Sequence, residues 1–390
     1  MKFFNSYFFL ILAIFSFLKP SGFDIYNMHL INSTINFIRF FFAILIFIKY
    51  LGTFHKLSVF LSLQLFFFFL LLISTLINNS KIENFSIFSI SVIVFTMLVE
   101  IYANRKFRLL IEALFFNYFV ILSVNLLLMY YLHGFKSEES LIEEKAISFI
   151  SSDNLTASYL FPALCVSFLY SVLHKNKYNY YSMILYAVVL LTAIKIWSAT
   201  SLVGIVLILA YIFIFYGTPI EKTIKYAYLI IFAVFLIIGL TFFNIQNYFY
   251  FLIVDILEKD ITMTGRTNIW QIGINGFNES PIIGMGYGAM IIDNGLIQLL
   301  FSGGVLGLCI YVMMFLTGTK KIFSPEHNHN SLNRFFSFVL FTTLIMSISE
   351  SWFYFFGFFV ILNLANNLDK LSHYLLWLQR RKNEKKIRLY

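Results

Sequence analysis

Charge is scarce in this sequence. Of its 390 residues only 12% are Asp, Glu, Lys or Arg, against 60% hydrophobic, and the mean hydropathy is +0.82. A soluble globular domain carries about one quarter charged residues. The composition therefore excludes a soluble enzyme or binding module, and a length-based count of soluble domains does not apply. Cysteine is scarcer still. Cys165 and Cys309 both lie inside apolar runs, which argues against a structural disulfide or a metal site. No internal repeat stands out, which weighs against an inverted-repeat transporter. The first apolar run, Phe3 to Leu18 behind Lys2, lacks a small-residue cleavage site and stops at Lys19-Pro20. It reads as an uncleaved first span rather than a signal peptide.

What the chain does have is apolar runs of bilayer length, about 20 residues each. They fall near 3–18, 36–53, 57–77, 84–102, 108–132, 156–173, 180–196, 199–216, 224–243, 296–317, 335–348 and 351–367. Each must be helical, because lipid offers no partner for backbone amides. The expectation is an all-α polytopic membrane protein of about twelve transmembrane helices. The last two runs are short and touch at Ser347–Trp352, so one broken hairpin is an alternative. The division that follows is 1–243 for helices 1–9, 244–295 for a large loop, 296–367 for helices 10–12 and 368–390 for a basic tail.

The net charge of +9 resides largely in that tail, where Lys370, Arg380, Arg381, Lys382, Lys385, Lys386 and Arg388 lie. A basic tail after a span is an orientation signal before it is a nucleic-acid site. With both termini cytoplasmic, 20 of the 28 Lys and Arg fall on inside segments, a bias repeated at every short loop. The expected location is the bacterial inner (cytoplasmic) membrane. Two loops on the other face are long, and loops of this length are functional or disordered. One, about His133–Leu155, carries Glu138, Glu139, Glu143 and Glu144, and LIEEKAISFI has the spacing of a solvated acidic helix. The other, about Asn244–Gly295, has apolar stretches at 248–257 and 269–277 and should form a helical cap on the membrane surface.

The second loop concentrates the polar chemistry, in TGRTNIW at 264–270, PIIGMGYG at 281–288 and DNGLIQLLFSGGVLGL at 293–308. Arg266 can grip two phosphate oxygens at once and stays charged at any relevant pH. Gly265 lets the backbone approach closely, and Thr264 is suited to cap a helix from Thr267, whose amides would also favour an anion. Alternatively Arg266 pairs with Asp260 or Glu258 and ties down the loop. Gly284, Gly286 and Gly288 either line a site with exposed amides or make a tight return that only glycine allows. Pro281 suits a helix stop before it. Gly303 and Gly307 form a GxxxG face suited to helix packing. Asp293 and Asn294 could orient or deprotonate a hydroxyl and hydrogen-bond a sugar, or simply cap the helix from Leu296. Lys195, Ser198, Thr200 and Ser201 gather at another helix start, fit for a phosphate or sugar or for a snorkelling Lys beside small residues. Asp153 or Asn154 caps the sixth span. Arg39, near the outer end of the second span, is either functional or reaches water.

In these residues the chain resembles the bacterial O-antigen polymerase and O-antigen ligase superfamily, the Wzy-type polymerases and their relatives. The resemblance rests on Gly265, Arg266, Ile269, Trp270, Pro281, Gly284, Gly286, Gly288, Asp293, Asn294, Gly304, Gly307 and Leu308, with Ser198–Gly204 and Asn154 as further likenesses. It covers about 70 residues in detail. It implies a GT-C-like membrane glycosyltransferase that uses undecaprenyl-diphosphate-linked glycans as donor and acceptor and needs no metal or cofactor. A chain-length regulator and a flippase are further candidate partners. The ligases carry a histidine near the polar pair opening the tenth span. Here Ile292-Asp293-Asn294 stands there, and the loop holds no histidine. The resemblance thus implies a polymerase of O-antigen or capsular repeat units at the outer face. A ligase onto lipid A core or protein is the alternative, and a lipid-linked oligosaccharide flippase is disfavoured because span centres hold almost no charge. The implied catalytic residues are Arg266 and Asp293, with Gly265, Asn294, Lys195, Ser198, Thr200 and Arg39 binding substrate.

Overall fold

The computed structural model describes residues 6–25, 28–54, 56–131, 148–151, 153–174, 178–243, 266–323, 330–351, 354–372 and 374. Among these there are helices and turns and no strand. In chain order the helices are α1 (Tyr7–Phe17), α2 (Gly22–Ile25), α3 (His29–Leu51), α4 (Val59–Ile77), α5 (Ile82–Arg105), α6 (Phe107–Tyr131), α7 (Asp153–Leu173), α8 (Tyr180–Ile196), α9 (Ala199–Ala210, continued by a π turn at Tyr211–Phe215), α10 (Pro219–Thr223), α11 (Tyr226–Phe242), α12 (Arg266–Glu279), α13 (Gly295–Thr319), α14 (Ser331–Met346) and α15 (Phe356–Asn366).

Among the described residues, α3 to α7 and α13 are long and apolar enough to cross a membrane, and α1, α8, α9, α11, α14 and α15 are shorter apolar helices. Each of the twelve apolar runs has thus become an apolar helix. Phe37, Ile44, Phe47 and Ile48 of α3 and Phe232 and Phe235 of α11 are exposed. An apolar surface of that extent is not sustained in water. The chain is a multi-pass membrane protein.

Two boundaries differ from expectation. Helix α3 begins at His29, well before the expected 36. Its first turns carry Asn32, Asn36 and Arg39, polar residues that disguise the helix start, yet Arg39 is buried and its Nε donates to the Ser16 carbonyl at the end of α1 (2.8 Å). It does not reach water. Helices α14 and α15 are separate, joined by residues 347–355. The expected acidic helix at 141–150 lies mostly outside the described residues, and Ser148–Ile150 within them is not helical. The apolar stretch 248–257, with Asp260 and Glu258, also lies outside them.

Helices α4 and α13 pack along one another more extensively than any other pair. The expected GxxxG face is the contact: a Cβ on Gly303 would stand 3.4 Å from Leu71, and one on Gly307 3.7 Å from Leu70. Between them α13 is interrupted. Gly304 has φ 60° and ψ −163°, a conformation an L-residue rarely adopts. A break inside a span frees backbone groups that lipid cannot satisfy. Residues 281–286 satisfy them: Met285 N donates to Phe301 O (2.7 Å) and Gly286 N to Ser302 O (3.1 Å). In return Val305 N donates to Pro281 O (2.9 Å) and Leu306 N to Ile282 O (3.2 Å). Gly284 fits because a Cβ there would meet the Ser302 carbonyl carbon at 2.4 Å. The glycine turn is therefore a plug in a broken helix, the tight return of the two readings.

Helix α12 is the cap over this end of the bundle. It stops at Glu279, just before Pro281. It lies against the start of α13 through Gly273 and Gly276, where a Cβ would strike Ile297 and Phe301 at 2.6 and 2.4 Å. Trp270 is buried, and its indole Nε1 donates to the Asp293 carbonyl (3.1 Å). The opposite end of the bundle holds a fully buried Glu221, 3.5 Å from Arg334 and accepting from the Tyr211 hydroxyl (2.7 Å).

Candidate active site

The turn after α14, Ser347 to Glu350, is where the separate elements meet. Gly295 N–H donates to Ser347 O (2.8 Å). Asn294 Nδ2 donates to Ile348 O (3.2 Å) and to Thr241 Oγ1 at the end of α11 (3.0 Å). The hydroxyls of Thr200, in the first turn of α9, and Ser349 lie 3.2 Å apart. Arg266, the first residue of α12, places Nη2 3.3 Å from Glu350 Oε1. Three elements, α9, α12 and α13, thus converge on four consecutive residues, and α11 joins through Asn294. Glu350 is 3% exposed, and Arg266 keeps 21% of its side-chain surface accessible.

Burial pushes the Glu350 carboxyl up from 4.5 to about 8; Arg266 pulls it back and the charge of nearby Asp293 pushes it further up. Burial prevails because the guanidinium contact is single and long, well short of the bidentate grip that holds a carboxylate ionised. Near neutral pH the acid is therefore largely protonated, and the contact is a hydrogen bond from a cation rather than a full ion pair. An arginine with unspent donors at a helix N-terminus suits an anion. A carboxyl poised near neutrality suits proton transfer.

Of the residues expected from sequence, Arg266, Asp293 and Thr200 are gathered here. Asp293 is half-buried and enters through its charge on Glu350 and its carbonyl on Trp270. Arg266 pairs with Glu350, whereas Asp260 and Glu258 lie outside the described residues, as does Gly265. Asn294 is fully buried as the cap of α13, accepting from the amides of Leu296 (3.0 Å) and Ile297 (3.1 Å) while its amide nitrogen is used as above. Of its two readings the structure displays the cap. Ser198 is buried at the start of α9 and accepts from Ser201 Oγ (3.1 Å). Lys195, exposed in the last turn of α8, stands 5.1 Å from the centre of the Tyr130 ring, a cation–π contact apart from the Glu350 cluster. Arg39 stands apart from the Glu350 cluster and lines a cavity at the same end of the bundle. The side chains of Asp153 and Asn154 lie outside the described ones.

Sequence reasoning missed Glu350. Its signal is a lone carboxylate in SISES, where two apolar runs meet and no solvated loop separates them.

Comparison with known proteins bears on this end of the molecule. Residues 181–312 match a family model described as O-antigen ligase. Exopolysaccharide production protein ExoQ of Rhizobium meliloti (strain 1021) is 27% identical over 108 residues, 21% of this chain and 25% of the relative. The chain thus spans about a quarter of the length of the curated relative it matches. The family match begins in α8, runs through the cap and the broken α13, and contains Thr200, Arg266, Asp293 and Asn294. These matches support a relationship between residues 181–312 of this chain and the superfamily of O-antigen ligases and polymerases.

Proposed function

We propose that this protein is a membrane glycosyltransferase that polymerises undecaprenyl-diphosphate-linked oligosaccharide repeat units at the outer face of the cytoplasmic membrane. In this reading all twelve apolar helices cross the bilayer, in a GT-C-like arrangement with both termini cytoplasmic. The product is O-antigen or a capsular or exported polysaccharide. The observation that carries it is the Arg266–Glu350 contact, a cation with spare donors against a buried near-neutral acid, whose arginine lies inside the stretch that matches the O-antigen ligase model and whose acid lies beyond it. The relative's name, an exopolysaccharide production protein, supports the product class.

The donor's diphosphate docks on Arg266 and the first amides of α12. A hydroxyl of the acceptor sugar attacks the donor's anomeric carbon with inversion. The new glycosidic bond forms as the anomeric carbon–oxygen bond breaks, and undecaprenyl diphosphate leaves with the bonding electron pair. Arg266 neutralises the charge growing on that leaving group, where preorganised charge is most effective. The hydroxyl proton passes to a carboxylate, Asp293 or Glu350.

A ligase transferring finished glycan to lipid A core or protein shares this site. A deletion strain, with and without complementation, separates the two. Loss of a polymerase leaves surface glycans of one repeat unit. Loss of a ligase leaves long glycan on the lipid carrier, and that result would overturn the polymerase reading.

A further inference from the structure

A cavity of about 390 Å³ opens at the same end of the bundle, among the ends of α1, α3, α5, α7 and α15. That is the scale of a small-molecule site, roughly 300–1,000 Å³. It shares its walls with the segments that build the Glu350 cluster. Tyr354 comes from the connection that holds Glu350, and Tyr287 from the glycine turn that leads to Asp293.

The lining indicates the ligand class. Both cations are committed to the protein, Lys19 to the Asn32 amide oxygen and Arg39 to the Ser16 carbonyl. The Glu83 carboxylate adds a negative charge. A diphosphate would meet an anion beside two cations that are already engaged by the protein. The remaining groups suit hydroxyls: Asn36 Oδ1 is buried and makes no hydrogen bond within the protein, and Asn84 stands on the exposed rim. The aromatic wall is ordered, with Tyr287 stacked on Phe88 at 5.4 Å and 16°. Amides, one carboxylate and flat aromatic faces bind uncharged polyhydroxyl rings, which are apolar on their faces and polar at their edges.

We propose that this cavity is the acceptor subsite, holding neutral sugar units of the incoming glycan while its diphosphate-linked counterpart occupies Arg266. The assignment rests on the function proposed above. Asn36 accepts a sugar hydroxyl, and the Phe88–Tyr287 stack carries a ring face. Catalysis at Glu350 and recognition of the acceptor are thereby placed on the two ends of one short connection, 347–355.

The test is binding of the neutral repeat-unit oligosaccharide, released from the organism's own polysaccharide, to the whole protein in nanodiscs, read by saturation-transfer NMR. Asn36→Leu removes the acceptor atom, and Asn84→Trp fills the mouth from an exposed position. Each should weaken binding roughly tenfold and raise KM for the acceptor but not the donor. Arg266→Ala should bind the free oligosaccharide as the unaltered protein does. Unchanged binding in both cavity variants, or no binding by the unaltered protein, overturns the subsite. Those results leave the polymerase reading standing, because it is judged by the surface glycan of the deletion strain. Thermal melting of Asn84→Trp separates a filled cavity from a misfolded chain, and a normal melt with normal binding also counts against the proposal.

Discussion

The Arg266 guanidinium meets the Glu350 carboxyl 84 residues further along the chain, at 3.3 Å, where the cap helix touches the turn after α14. Neither side chain is explained by its own segment. Each sits where it does because Trp270 seats α12 on Asp293 and Asn294 ties the mouth of α13 to Ile348.

Replacing Arg266 by Ala should lower transfer by about two to three orders of magnitude, the scale of losing one preorganised charge stabiliser. Arg266→Lys should recover only part, since an ammonium lacks the planar fork. Glycan length ladders on gels measure both. Full-length chains from the Ala variant would end the role assigned to Arg266.

Glu350 makes activity and stability depend on pH in opposite directions. As a proton acceptor it must be ionised, so the rate should climb as pH rises toward about 8. Its folded value lies above the ordinary 4.5, so over that interval the native state holds more protons than the unfolded chain. Stability therefore falls as pH rises through the window. Glu350→Gln should flatten both profiles, in transfer assays and in melting curves across pH. An unchanged rate profile would transfer the role to Asp293.

Asn294→Ala should cost about 1–3 kcal/mol, combining a lost helix cap with unpaired groups on Thr241 and Ile348. Asn294→Ser keeps a capping oxygen and should lose less. Melting temperatures in nanodiscs rank the two, and equal melts would remove Asn294 from the framework of the site.

The break in α13 predicts a contrast between adjacent glycines. Gly304→Ala would place a Cβ 2.3 Å from Ile282 O in a left-handed conformation, and about 1–3 kcal/mol of strain should follow. Gly303→Ala meets only Leu71 at 3.4 Å and should be far milder. Comparable melts for the two would show that the plug is not held as described.

The bundle was largely legible because apolar length is a local property. Every apolar run became an apolar helix, and RTNIW at 266–270 opens α12. What escaped was tertiary. Asn32 and Arg39 looked like a polar approach to α3 because their partners, Lys19 and Ser16 on other segments, were invisible. The glycine at 304 carried no structural reading of its own, because only the fold brings Ile282 against it. Glu350 drew no notice because its burial, its arginine and its aspartate come from three distant places in the chain.

The interruption at Gly304 also has a biosynthetic meaning. The groups that satisfy it belong to residues 281–286, which are synthesised immediately before α13. Plug and helix therefore leave the ribosome together, and the broken span can be completed without waiting for a distant partner. Glu350 is made later, together with Ser347 and Ile348, which tie down the mouth of α13. The chemistry is thus the last part of this end to be assembled, so a nascent chain lacking its final spans has the grip for an anion but not the acid beside it.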